Sequence, residues 1–250
     1  MQVASYLSRI RFEGEATPTY ATLCQLQRKH LLSVPWENLD IVRNVPLSLE
    51  IPALYDKIVT RGRGGYCFEL NALFAWLLRR LGFNVTEYFA RYLRGESSVP
   101  KRRHRTLRVE CEGKFYLCDV GVGEPILLTP IQLRAGCVQV QNGERYKIMK
   151  DEFLGYVLTE QYKGEWRNVY SFTHEPALPE DFTAISYYCE NHADSVFRTK
   201  DMVHIFTPDG RKSVFGREYK HFSAAGITGY TPATEKAYEK LLMREFGIRL

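Results

Sequence analysis

Residues 61–71, RGRGGYCFELN, set Cys67 directly after a glycine-rich turn and at the head of an apolar run with helical spacing that Gly82 closes. The glycines are expected to supply positive φ angles for a sharp turn. Open amides and the positive end of a helix dipole favour an anionic sulfur over a neutral one, which makes Cys67 a candidate nucleophile. Such a nucleophile needs a base for its proton and a carboxylate to orient that base. His104 and Asp119 flank one expected hairpin, HRTLRVECEGKFYLCDVG. With Glu112-Gly113 as a two-residue turn, residue 106 faces residue 119. His104 and Asp119 are then diagonal neighbours on one face, with Cβ atoms about 7–8 Å apart or less. A three-residue turn would send Asp119 to the opposite face, so the geometry depends on register.

These residues need elements to position them. Up to residue 84 the chain reads helical. Thr17-Pro18 is a cap and first-turn proline ahead of TYATLCQLQRKHLLS, and SVPWENLDI breaks that helix as an ordered loop. Ser48 is the expected cap of LEIPALYDKIVTR. From residue 84 the pattern changes to short β-branched and aromatic runs: NVTEYFARYLR, RTLRVEC, KFYLCDVGV, RYKIMK, FLGYVLTEQY and EWRNVYSF. Glu112-Gly113, Asn142-Gly143 and Lys163-Gly164 separate them, which predicts an antiparallel sheet or barrel. A last hairpin is expected around Pro208-Asp209-Gly210, and Thr231-Pro232 caps a C-terminal amphipathic helix, ATEKAYEKLLMREF. Helices first, strands second and a mixed tail give an α+β fold class.

At 250 residues with a 45% hydrophobic composition, the chain has enough material for a substantial core. Six cysteines are scattered without a CxxC pair, and there is no HxxxH, so neither a disulfide framework nor a metal site is expected. Cys24, Cys137 and Cys189 read as small buried hydrophobes. The N-terminal residues lack a signal-like apolar region, and no apolar run approaches the ~20 residues of a membrane span. A cytoplasmic location is the expectation. A net charge of +5 suits an anionic small-molecule partner. RGRGG and KRRHR together are compatible with RNA contact, but the charge is mild and no aromatic platform is recognisable, so no nucleic-acid partner is expected.

RGRGGYCFELN, the later His104 and the DVGVG that begins at Asp119 together resemble the arylamine N-acetyltransferase family. In that family RGG-x-C-x-E-x-N carries the nucleophile, a His opens a following hairpin, and an Asp begins a DVGFG-like motif. Residues 35–40, PWENLD, are similar to the family's N-terminal loop, and YYCENHADSVF followed by TPDGR resembles its distal region. The resemblance implies a helical domain over residues 1–84 carrying the nucleophile, an antiparallel β-barrel over 85–190 carrying His104 and Asp119, and an α/β lid over 191–250. Its catalytic core would be like that of cysteine proteases and transglutaminases. The implied reaction is a ping-pong transfer, with Cys67, His104 and Asp119 as the triad. Cys67 takes an acetyl group from acetyl-coenzyme A, and an arylamine, hydrazine or arylhydroxylamine then attacks the thioester. Amides at the helix start would stabilise the oxyanion, and no metal is required.

The same triad would serve an amide synthase, a thiol hydrolase or a transglutaminase-like enzyme, because the difference lies in the pocket. One departure concerns that pocket: the family commonly has an aromatic residue where this chain has Val122. The resemblance implies weaker aromatic packing on the acceptor there, with Trp36 of PWENLD supplying part of the lost surface. Arg103, within KRRHR, is a further candidate substrate contact, and the run as a whole reads either as a solvated loop or as an attraction for cofactor phosphates. Tyr188 and Ser195 are the implied contacts for coenzyme A.

Overall fold

In the computed structural model, which describes residues 1–123 and 127–250, the N-terminal part is helical. It comprises α1 (Val3–Arg9), α2 (Tyr20–Ser33), a two-residue strand β1 (Trp36–Glu37), α3 (Leu39–Val42), α4 (Ile51–Tyr55) and α5 (Cys67–Arg80). A π-helical turn, Asp56–Thr60, extends α4. Two starts differ from expectation. Thr19, not Thr17, caps α2 by accepting from the Thr22 amide at 3.2 Å. Ser48 accepts only from the Glu50 amide, and α4 begins at Ile51 with Pro52 in its first turn. PWENLD is not merely a loop, since it supplies both β1 and the start of α3.

α5 is almost wholly buried, as an apolar run with few charges requires. Gly82 follows its C-cap at φ +88°, the left-handed position that glycine takes without a steric penalty.

Eight antiparallel strands follow or flank the first hairpin: β2 (Asn84–Tyr92), β3 (His104–Cys111), β4 (Lys114–Cys118), β5 (Ile131–Gln132), β6 (Val138–Gln141), β7 (Glu144–Asp151), β8 (Gly155–Tyr162) and β9 (Glu165–Phe172). Their spatial order is β5-β4-β3-β2-β9-β8-β7-β6. Side chains sew the two edges together. Gln139 of β6 bonds the amide and carbonyl of Gln132 on β5, and Gln141 does the same for Thr129. The result is a nearly closed barrel. The three expected turns have positive φ at both central residues: Glu112 and Gly113, Asn142 and Gly143, Lys163 and Gly164. That is the primed turn geometry whose twist matches a hairpin.

Strands β10 (Met202–Thr207), β11 (Gly210–Phe215), β12 (Glu218–Ser223) and β13 (Gly226–Tyr230) form a second sheet in sequence order, with β1 pairing on the outer side of β10. α7 (Glu235–Phe246) packs on it through Tyr238, Leu241, Leu242 and Phe246. Its cap is Thr234, not Thr231. Between the two sheets in sequence, residues 182–191 form a helix, α6 (Phe182–Asn191), a stretch for which spacing predicts no element. FTAISYYCEN is rich in β-branched and aromatic residues, and burial of Phe182 against Phe68 and Phe89 overrides that local preference. Among the described residues no helix is long and apolar enough to cross a membrane.

Below α5 lies a buried ion network. Lys57, on the π turn, reaches Glu69 at 2.8 Å and Asp40 at 2.7 Å, while Arg63 pairs with Glu37 and Asp40. Glu69 also accepts the Tyr66 amide at 3.1 Å, fixing the entry to α5. Burial and the nearby Glu37 raise Glu69, and the Lys57 ammonium opposes that rise. Removing one partner from such a network strands buried charge. Lys57→Met should therefore destabilise the fold by about 3–5 kcal/mol, measured by urea unfolding. A change within about 0.5 kcal/mol would show that the network does not anchor α5.

Candidate active site

Cys67 is the first residue of α5, where a helix leaves amides without intrahelical partners. What brings it close to the barrel is not the expected turn chemistry. Of the glycines in RGRGG only Gly62 has positive φ. Gly64 and Gly65 are glycines for space. A Cβ at Gly64 would sit 1.9 Å from the Pro35 carbonyl oxygen, and one at Gly65 would sit 2.8 Å from a Glu69 carboxylate oxygen. Gly121, in DVGVG, has the same property: its Cβ would lie 2.6 Å from the Cys67 Cα and 2.7 Å from Asn71 Nδ2. The two glycine motifs are where the loop before α5 meets the PWENLD segment and where α5 meets the barrel.

The β3–β4 register is the one a two-residue turn requires, with Cys111 opposite Lys114 and Leu107 opposite Cys118. His104 and Asp119 consequently share a face, and His104 Nε2 lies 2.6 Å from Asp119 Oδ2. Strand β4 ends at Cys118, one residue before the carboxylate, so Asp119 sits at the head of a loop. Its second oxygen accepts from Asn71 Nδ2 and the Gly121 amide, both at 2.9 Å. Asn71 lies four residues, or one turn, after Cys67 on α5. It also donates to the Arg105 carbonyl and accepts from the Val120 amide. Asn71 thus ties the nucleophile helix to β3 and to the loop that follows β4.

The Cys67 sulfur lies close enough to the imidazole to favour its charged form together with Asp119. The thiol also lies 3.8 Å from the Arg103 carbonyl. Burial opposes charge on His104, but the Asp119 carboxylate and the sulfur outweigh it and push the imidazole up to about 10. Burial likewise opposes charge on Asp119, and attraction to His104 with its hydrogen bonds holds the carboxyl below its usual range. A thiol, a buried imidazole and a carboxylate that orients it are the parts a cysteine nucleophile needs.

Above the sulfur opens a cavity of about 650 Å³, within the range of small-molecule sites. Cys67, His104, Trp36, Val122 and Arg103 all line it. Trp36 is fixed by donating Nε1–H to the Gly121 carbonyl at 2.9 Å. Arg103 pairs with Glu96 at 2.7 Å. The basic run does not behave as a unit: Arg105 is buried against Glu87, whereas Lys101 lies over the Tyr188 ring. Tyr188 and Ser195 lie outside the cavity lining. Ser195 is buried, and its hydroxyl is used internally, donating to the Cys189 carbonyl and accepting from the Phe197 amide. Tyr188 stacks on His192. Of the three cysteines read as core, only Cys189 is buried, and Cys24 and Cys137 are partly exposed. No group of three or more His, Cys, Asp or Glu side chains among the described residues is arranged to hold a metal.

Sequence reasoning missed His204, which lines the cavity opposite the barrel and stacks on Trp36. It also missed Gln27, whose side chain accepts the Asp119 amide from α2. A lone His in MVHIF and a Gln on a helix carry no motif, so nothing in the sequence marked them.

A family model described as N-acetyltransferase matches residues 19–250. An arylamine N-acetyltransferase of Mycobacterium bovis is 33% identical over 100% of this chain and 90% of its own length. The chain belongs to the arylamine N-acetyltransferase family. The solved enzyme from M. tuberculosis matches with a TM-score of 0.91 at 34% identity, covering 99% of this chain and 94% of that one. The Mycobacterium marinum enzyme, solved in complex with CoA, matches at 0.90 and 31% identity, covering 99% and 93%.

Linkage gives a direct test of the His104–Asp119 contact. A raised imidazole contributes stability that is full below its unfolded value of 6.5 and is lost as pH rises through about 10. The stability difference between wild type and Asp119→Asn should therefore shrink steadily across that window, as read by urea unfolding at a series of pH values. A difference independent of pH would show that His104 is not held as a cation.

Proposed function

We propose that this protein transfers the acetyl group of acetyl-coenzyme A to an arylamine or arylhydrazine nitrogen, or to an arylhydroxylamine, through a thioester on Cys67. One observation carries this reading: the 2.6 Å His104–Asp119 contact stands beside the Cys67 thiol at the floor of a largely apolar cavity. The family membership, and the CoA bound by the M. marinum relative, support the choice of donor.

In the first half-reaction the Cys67 sulfur attacks the acetyl carbonyl carbon, and amides at the start of α5 stabilise the developing oxyanion. The carbon–sulfur bond to coenzyme A breaks, and the departing thiolate takes the proton held by His104. In the second, the acceptor nitrogen or hydroxylamine oxygen attacks the thioester and gives its proton to His104, while the Cys67 sulfur leaves as the anion. Asp119 holds the imidazole in one orientation throughout and compensates its charge. Trp36 and Val122 form the acceptor wall, with Arg103 at its edge. Val122 also packs into the barrel core, so the pocket has less aromatic surface on that side than an aromatic residue would give.

The helical unit over residues 1–84 brings the sulfur, the barrel over 85–190 the His-Asp pair, and the α/β unit over 191–250 covers the cavity as a lid. All six cysteines are free, which fits the reducing cytoplasm in which we place the reaction.

The test is release of free thiol from acetyl-coenzyme A with and without an aromatic amine. Amine-dependent release is expected, abolished in Cys67→Ala and reduced about 10⁴-fold in Asp119→Asn, the loss seen for the equivalent change in a serine triad. Near-normal turnover in Asp119→Asn, or release that ignores the amine, would contradict the mechanism.

A further inference from the structure

His204, on β10, is nine-tenths buried yet lines the cavity that holds Cys67. Its ring stacks on Trp36 with centroids 5.9 Å apart and planes 20° from parallel, and it meets Phe206 edge-on at 5.5 Å. The main chain at Gly123, one residue after Val122, passes its Nδ1 edge: a Cβ there would lie 3.7 Å from Nδ1. Among the described residues no side chain or main-chain group hydrogen-bonds the ring. Burial alone acts on it, pushing it down to about 4, so the imidazole is neutral at physiological pH and offers one N–H donor and one nitrogen acceptor. The contrast is His30, also buried, whose ring bonds the Tyr6 hydroxyl at 3.0 Å inside the main core. His30 keeps one nitrogen bonded and Nε2 unpartnered in the closed core, so what distinguishes His204 is that its ring lines the cavity that holds Cys67. The His204 nitrogens are not among the sealed, unpartnered polar atoms of the described residues, so a ligand that displaces water from them must replace the hydrogen bonds it removes.

We propose that His204 is a specificity-determining residue that hydrogen-bonds an uncharged polar substituent, such as a hydroxyl, on the aromatic acceptor held beside Trp36 and Val122. This rests on the acetyl-transfer reading above. A site built around an unpaired polar group discriminates against analogues that lack the matching group, because binding them leaves that group buried and alone. The apolar walls supply affinity for any aromatic ring, and His204 supplies the choice among rings.

The test compares wild type with His204→Phe, which keeps an aromatic ring on Trp36, and His204→Gln, which keeps a donor and an acceptor. Each is assayed with a hydroxyl-bearing aniline and its methyl analogue of similar size. Ratios of variant to wild type for one acceptor cancel that acceptor's intrinsic reactivity. In a ping-pong scheme kcat/KM for acetyl-coenzyme A reports the first half-reaction alone. His204→Phe is expected to lower kcat/KM for the hydroxyl-bearing acceptor about tenfold. The methyl analogue should stay within about twofold of wild type, and the acetyl-coenzyme A value should not change. His204→Gln should recover most of the loss. Equal losses for both acceptors would assign His204 to packing and overturn the proposal. A loss confined to acetyl-coenzyme A would place the ring against the donor instead and overturn it too. A wild-type protein that turns over no aromatic amine overturns the functional reading and this proposal with it, whereas normal turnover with equal losses overturns only the proposal.

Discussion

The register of one hairpin controls the site. Glu112 and Gly113 both adopt positive φ, which closes β3 on β4 with a two-residue turn and puts His104 and Asp119 on the same face. One residue more in that turn would reverse the face of every side chain on one strand and separate the imidazole from its carboxylate. The 2.6 Å contact between them is therefore a consequence of backbone twist some distance away. The charge that Asp119 stabilises on His104 in turn depends on that contact, since burial alone acts in the opposite direction.

Bringing a sulfur to this pair is a packing problem. α5 approaches the loop at Asp119 so closely that only glycine fits at 121, and Asn71 fills the remaining space with hydrogen bonds to β3 and to that loop. From the other side, the ion network of Glu37, Asp40, Lys57, Arg63 and Glu69 holds the loop before Cys67. Family motifs that look catalytic in sequence thus divide by task. In RGGYCFELN the sulfur faces the cavity, while the glycines, Glu69 and Asn71 set its position. In PWENLD, Trp36 faces the cavity, while Glu37 and Asp40 belong to the network and Asn38 bonds the Phe197 and Lys200 carbonyls.

The parts of this arrangement that were legible in the sequence are those governed by local rules. The helix after Cys67, the three primed turns and the strands they join follow from spacing and turn chemistry, and the His-Asp register follows from the turn. The rest depends on contacts distant in sequence. Helix α6 forms against its own composition because Phe182 is buried on Phe68 and Phe89. β1 takes its form from β10, far along the chain, and from a bridge to Gly65. Gly64 and Gly65 appear in sequence as turn formers, and only the approach of Pro35 and Glu69 reveals why they have no side chain. The short β5 and β6, closed by glutamine side chains rather than by a ladder, leave almost no pattern to read. Ser195 is a polar residue in a motif-like segment, yet its hydroxyl serves a turn.

Every functional conclusion converges on the sulfur of Cys67 as the atom that carries the acetyl group. Peptide mass spectrometry after incubation with acetyl-coenzyme A alone tests this most directly. The account predicts one acetyl group on the peptide containing Cys67, retained until an aromatic amine is added and then lost. An unmodified Cys67, or an acetyl group on a different side chain that is discharged by the amine, would contradict it.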